Sequence, residues 1–247
     1  MNLAHNKQFY IYSHSSVPWQ QQILFDFLKS ISIRKNFRCL DAGCGIGNNL
    51  KTLSVFIDDI TACDISKDAL DYSKKKFQEG LIKFVEASVE KLPFPDNYFD
   101  LVVCTEVLEH VENLERAEKE LMRVVKKENG YLIISAPNYF NLAGIVKFII
   151  DKITGKQEWD VWGTGKERKE RFMTFFKLKK IMSTNKAVSI IKERGGDFLN
   201  SWFLFLPLIF RNYKYTDKRP ALWLGRSKFF RKFAMNYFIL AKTNSHQ

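Results

Sequence analysis

The sequence predicts an α/β domain built on a mainly parallel sheet, and three observations carry that expectation. Short apolar runs of strand length alternate with helical patterns through residue 137, the signature of βαβ units. One strand-to-helix junction is a glycine turn, Leu40-Asp41-Ala42-Gly43-Cys44-Gly45-Ile46-Gly47. The next apolar run ends in an acidic residue, Asp64, 23 positions after Asp41.

Each element follows from its pattern. Val17–Ile31 reads as a helix, with Trp19, Ile23, Leu24, Phe27 and Leu28 on one face. Strands are expected at Phe37–Leu40, Ile60–Cys63, Ile82–Val85, Phe99–Cys104 and, after the turn at Asn129-Gly130, Tyr131–Ser135. Helices are expected between them at 48–56, 66–79 and 113–127. Beyond Pro137 the rhythm changes. Leu142, Ile145, Val146, Ile149, Ile150 and Ile153 recur at helical spacing. A Trp- and Gly-rich loop (158–172) and a basic helix around 174–183 follow. Strands at 187–192 and 234–241 bracket an aromatic stretch, 198–233. There is no internal repeat or low-complexity linker. The expectation is one domain over 1–247, with a ligand-binding core at about 33–137 and a basic, aromatic cap at about 138–247.

Composition bounds the class. The 247 residues are 46% hydrophobic and 27% charged, with 6 Pro and 12 Gly, which excludes a disordered or fibrous chain. Cys39, Cys44, Cys63 and Cys104 form no CxxC pair and read as reduced thiols, so no disulfide framework and no metal site are expected. The start lacks a signal-peptide pattern. The longest apolar run, Phe198–Phe210, is interrupted by Asn200, Ser201 and Pro207 and is short of the about 20 residues that a membrane crossing needs. These features predict a cytoplasmic protein. The net charge of +12 is uneven: residues 1–130 hold 17 Lys/Arg against 19 Asp/Glu, and residues 131–247 hold 22 against 8. The basic excess belongs to the cap, which should face something anionic.

The glycine turn carries the strongest chemical signal. Glycines there permit φ > 0 and a close backbone approach to a ligand. Their GxGxG spacing departs from the dinucleotide GxGxxG, and no Gly-Lys-Ser/Thr of a phosphate-binding loop follows. A carboxylate at the end of the second strand suits the two hydroxyls of a ribose. Together, Asp64 and the glycine turn indicate an adenosine-containing ligand.

The chain here resembles the class I S-adenosylmethionine-dependent methyltransferases, over roughly residues 35–137. The motifs are LDAGCGIG (40–47), CDIS (63–66), EKLPFPDNYFDLVVC (90–104) and LEHV (108–111), with LMRVVKKENGYLIISAP (121–137) similar to the family's later helix, turn and strand. The resemblance implies a Rossmann-like sheet of seven strands, mostly parallel, with helices on both faces and one antiparallel strand near the C-terminus. It implies S-adenosyl-L-methionine as cofactor. Gly43, Gly45 and Gly47 would pass under its methionine and ribose parts, Asp41 would fix the amino-acid end, and Asp64 would hold the ribose. Ile65 would pack on the adenine. Ser88 stands where the family usually has Asp, with Val89 beside it at the adenine edge. Cys104 and Thr105 would line the methionine side.

A sulfonium methyl is already electrophilic, so such an enzyme mainly aligns the acceptor and excludes water, with a base where the acceptor is a hydroxyl. His110 is the candidate base, against the alternative that it caps or packs at a helix start. Glu106 and Glu109 read as helix-start charges. His5 and His14 are weaker candidates in a segment that closes over the substrate in many such enzymes.

The cap has two basic stretches, Lys166–Lys180 and Arg211–Lys232, the second interleaved with aromatics. That composition suits RNA, an anionic membrane surface, or a solvated face over an aromatic core. The amphipathic stretch 142–153 and the apolar 201–210 favour a lipophilic acceptor and membrane-peripheral placement, with nucleic acid the lesser candidate; they equally suit a dimer interface. Trp159, Trp162 and Trp202 are candidates for the acceptor pocket. LEHV also resembles the quinone-pathway and small-molecule O-methyltransferases. The expected function is methyl transfer to a small or lipid-linked acceptor, on oxygen. The alternatives are an RNA or protein methyltransferase docking through its cap, and a non-catalytic cofactor-binding partner subunit.

Overall fold

The central strands carry almost continuous apolar side chains, as strands covered on both faces must. β1 (Arg38–Ala42), β4 (Leu101–Thr105) and β5 (Tyr131–Pro137) are buried along nearly their whole length. The structure, a computed structural model, describes residues 18–77, 82–154, 171–183, 188–196 and 224–244. His5, His14, Trp159, Trp162, Trp202 and the run 198–210 lie outside the described residues, as do 166–170 and 211–223 of the two basic stretches.

With β2 (Asp59–Asp64), β3 (Ile82–Glu86), β6 (Val188–Gly196) and β7 (Asn236–Thr243), the strands form one seven-stranded sheet in the order β3-β2-β1-β4-β5-β7-β6. Neighbouring strands from β3 to β5 pair in parallel; β7 lies antiparallel between β5 and β6. This is the Rossmann-like arrangement expected above.

Alternation along each strand divides the core. Leu40, Val102, Cys104, Leu132 and Ile134 meet helices α4 (Leu114–Val124) and α6 (Phe175–Ser183) on one face. Cys39, Leu101, Val103 and Ile133 meet α1 (Pro18–Leu28), α2 (Leu50–Phe56) and α3 (Lys67–Phe77) on the other. Asn113 starts α4 by accepting the Arg116 N–H at 2.9 Å. The turn at Asn129-Gly130 uses a positive φ at Asn129, and Thr243 Oγ1 of β7 accepts the Gly130 N–H at 2.8 Å. Helix α5 (Leu142–Thr154) matches its expected bounds, and Ile145, Ile149 and Ile153 of its apolar stripe are exposed.

Candidate functional site

β1 and β4 are neighbours, yet the chain leaves β1 for α2 on one face and leaves β4 for α4 on the other. Connections diverging from the carboxyl ends of adjacent strands open a crevice, the place where parallel α/β sheets bind ligands. The residues singled out from sequence gather along this edge: Asp41 and the glycine turn after β1, Asp64 and Ile65 after β2, Ser88 and Val89 beyond β3, and Cys104 to His110 at and after the end of β4.

The glycine turn is held by backbone bonds. The Gly43 and Cys44 N–H groups both donate to the Cys63 carbonyl, at 2.8 and 2.9 Å. The Gly45 N–H donates to Asp64 Oδ2 at 2.8 Å, and Asp64 Oδ1 accepts the Ser66 N–H at 2.8 Å. Gly43, Gly45 and Gly47 have φ of 75°, 52° and 78°. Two of these glycines are needed for different reasons. A Cβ on Gly43 would lie 2.4 Å from Val107 Cγ2, whereas a Cβ on Gly45 would meet no described atom within 4 Å. The first makes room for the protein itself; the second leaves room beside the loop.

Asp41 is wholly buried. Its Oδ1 accepts from Asn49 Nδ2 at 3.0 Å, and its Oδ2 has no hydrogen-bond partner. Burial pushes its carboxyl up to about 7; the Asn49 bond opposes the shift and the Asp64 charge adds to it. Asn49 Nδ2 also donates to Thr105 Oγ1 at 3.0 Å, so one amide ties the end of β1 to the end of β4. Asn49 escaped the sequence analysis because an Asn at the start of a helix gives no sign of a distant partner. It occupies the cap position of α2, but its side chain makes no cap bond.

Ile65 is 69% exposed beside buried Asp64. Ser88 Oγ accepts the Glu90 N–H at 3.2 Å, and Val89 is buried. The Cys104 side chain is fully buried, its thiol pushed well up by burial and then by the Glu109 charge. The other three cysteines are also buried and free, the Cys63 thiol pushed up to about 12 by burial, a setting without reactive thiolate.

The expectation that Glu106 and Glu109 are helix-start charges is corrected. Helix α4 begins only at Leu114, where Glu115 is the first-turn acid. Glu106 adopts φ 56°, rare for a non-glycine residue, and its carboxylate accepts from Ser135 Oγ at 2.7 Å and Asn236 Nδ2 at 2.6 Å. This fastens the turn after β4 to β5 and β7. Glu109 is 2% exposed. His110 therefore lies ahead of the helix, in a turn closed by its N–H to the Val107 carbonyl at 2.9 Å, with Nε2 3.8 Å from Glu109 Oε1. Arg171 pins this turn from the cap side: its N–H donates to the Glu109 carbonyl at 2.7 Å and its guanidinium to the carbonyls of Val111 and Glu112. In the sequence it was indistinguishable from the other basic residues around it.

A seven-stranded sheet of this order, with a glycine loop latched to the acid that ends the second strand, defines the class I S-adenosylmethionine-dependent methyltransferase fold. Residues 40–134 match the family described as a methyltransferase domain. An uncharacterized methyltransferase, YcgJ of Bacillus subtilis, is 28% identical over 110 residues, 43% of this chain and 44% of that one. The sterol 24-C-methyltransferase erg-4 of Neurospora crassa is 34% identical over 101 residues, 39% of this chain and 27% of that one. The ubiquinone/menaquinone biosynthesis C-methyltransferase UbiE of Psychromonas ingrahamii is 30% identical over 125 residues, 47% and 50% of the two chains. The chain thus spans half or less of the length of these curated relatives. Among solved structures, that of YcgJ superposes with a TM-score of 0.61 at 16% identity, covering 94% of this chain and all of that one. The [4+2]-cyclase SpnF superposes with a TM-score of 0.60 at 18% identity, covering 90% and 80%. Both likenesses are of fold. A Mesorhizobium loti structure described as an S-adenosylmethionine dependent methyltransferase superposes with a TM-score of 0.61 at 15% identity, covering 87% of this chain and 95% of that one, again a likeness of fold.

Proposed function

We propose that this chain is a methyltransferase that uses S-adenosyl-L-methionine to methylate a small or lipid-linked acceptor on oxygen. The observation that carries the reading is the pairing of open space beside Gly45 with the unpartnered, buried Oδ2 of Asp41 on the same strand end. A cationic amino group suits that oxygen, and a flat, bulky ligand suits a loop whose Cys44 and Ile46 side chains are buried and whose other three positions are glycine.

Bound cofactor supplies an electrophilic sulfonium methyl; the protein has to hold, orient and keep dry. Asp41, ionised beside the cofactor's ammonium, fixes the amino-acid end. Asp64 accepts from the ribose hydroxyls, since a carboxylate has acceptor positions for more than its two backbone donors. Exposed Ile65 covers one adenine face, with Ser88 and Val89 at the ring edge. Thr105 and the backbone of Cys104 line the methionine side, the buried Cys104 thiol serving only as packing. His110 takes the acceptor's proton as methyl transfer proceeds. The apolar side chains that α5 exposes directly after β5 give a lipophilic acceptor a surface to lie on and fit a membrane-peripheral enzyme; among the described residues no helix is long and apolar enough to cross a membrane. A carbon acceptor is the second reading, favoured by the C-methyltransferase names of the sterol and quinone relatives.

The test is methyl transfer from isotopically labelled S-adenosyl-L-methionine into a host lysate separated into lipids, small solutes, RNA and protein. Label in lipids or small solutes, lost in Asp64→Ala, is the expected result, and the labelled product then distinguishes oxygen from carbon. Label confined to RNA or protein would overturn the acceptor class.

A further inference from the structure

The segment 224–233, LGRSKFFRKF, leads through a short 3-10 turn (Phe230–Phe233) into β7 and carries four basic residues and no acidic one. Its rings are arranged outward. Phe229 is 63% exposed and Phe230 42% exposed. Ring contacts continue from Phe230 to Phe229 (5.4 Å), Phe233 (5.5 Å), Phe140 (5.8 Å) and Phe176 of α6 (5.3 Å), which is itself 58% exposed. This is one aromatic layer, anchored at Phe140 and Phe233 and presenting three rings to solvent.

Among the described residues, cations around the layer outnumber the carboxylates that pair with them. Glu193 already accepts from Arg231, Lys179 and Tyr237. Arg226 pairs with Asp26 at 3.4 Å. Arg194, its ionisation opposed by burial and then by the charges of Arg226 and Arg231, has a buried Nε without a hydrogen-bond partner, as does Arg231. Lys228 and Lys232 flank the exposed rings and are themselves exposed. Exposed aromatics beside exposed lysines match an interface that is apolar below and phosphate-rich above.

We propose that Phe176, Phe229 and Phe230, with Arg226, Lys228 and Lys232, form a docking surface for an anionic phospholipid bilayer. The rings enter the headgroup–acyl boundary and the cations meet lipid phosphates. The turn leads into Asn236, whose side chain bonds Glu106 in the turn after β4, so docking here brings the crevice end of the sheet to the membrane. The inference deepens the lipid-linked reading above, but vesicle binding is measured without turnover, so the two can fail separately.

The test is co-sedimentation of the full chain with phosphatidylcholine vesicles, with and without phosphatidylglycerol, alongside cofactor titration. Binding that requires the anionic lipid and weakens with salt is expected. Lys228→Gln with Lys232→Gln should weaken it by roughly fivefold per lysine. Phe229→Ala with Phe230→Ala should weaken it at least as much, while both double variants keep their cofactor affinity. Asp64→Ala should bind the cofactor about tenfold or more weakly and keep the vesicles. The proposal is overturned if the parent chain ignores anionic vesicles, if the double variants bind as it does, or if they lose affinity for single-stranded RNA and not for vesicles.

Discussion

The crevice at the ends of β1, β2 and β4 and the aromatic surface of α6 and the 224–233 turn are built on opposite principles. The crevice is made of backbone: three glycines at positive φ, a loop latched by N–H groups, and carboxylates buried behind it. The docking surface is made of side chains standing on an ordinary turn. Changes in the crevice should therefore alter ligand affinity and turnover with little room for compensation, and changes in the surface should act in proportion to the charge or area removed.

The largest effect expected lies in the turn after β4. His110→Ala should lower turnover by about 100-fold or more, the usual reach of a general base, with cofactor affinity unchanged. Full activity in steady-state kinetics would make His110 a packing residue. Next, Asp64→Ala should weaken cofactor binding about tenfold or more in calorimetry, because a charge-assisted contact is worth roughly 1.5–3 kcal/mol. Unchanged affinity would remove the ribose assignment and reduce Asp64 to a latch for Gly45.

A smaller effect is set by pH. The Asp41 carboxyl, raised to about 7 mainly by burial, keeps a proton that the unfolded chain releases near 4. Stability of the cofactor-free protein should therefore fall as pH rises between those values, and Asp41→Asn should flatten that slope in denaturant titrations. Cofactor affinity should run the other way, rising toward pH 8 by at most about tenfold per unit below the titration point, because only the ionised acid pairs with an ammonium. An affinity that is flat from pH 6 to pH 8 would place the cofactor's amino group elsewhere.

The contrast between the two regions also explains what the sequence disclosed. Strands such as Leu101–Thr105 and Tyr131–Pro137 were legible because burial on both faces leaves a nearly continuous apolar run, LVVC in one and YLII in the other. The glycine turn was legible because a positive φ restricts residue choice, and Asp64 because an acid closes the second strand 23 positions after Asp41. The antiparallel setting of β7 was available only through the family resemblance; no periodicity encodes strand direction. Asn49 was hidden, since an Asn at the start of a helix gives no sign of a long-range bond to Thr105. Glu106 and Glu109 were misplaced because nothing in LEHV reveals that the chain turns over once more before the helix. Ile145, Ile149 and Ile153 formed a clear stripe, but spacing cannot say what covers a stripe, and the structure leaves these three exposed.

The central claim, that the space beside Gly45 belongs to the cofactor, is tested most directly by titrating S-adenosyl-L-methionine into the parent chain, Gly45→Ala and Gly43→Ala while following thermal unfolding of each. A left-handed alanine costs about 1–2 kcal/mol at either position, and only at Gly43 does the new methyl also strike Val107. The account predicts that Gly45→Ala stays folded and loses cofactor affinity, whereas Gly43→Ala is the less stable of the two. A Gly45→Ala protein that binds the cofactor as tightly as the parent would contradict it.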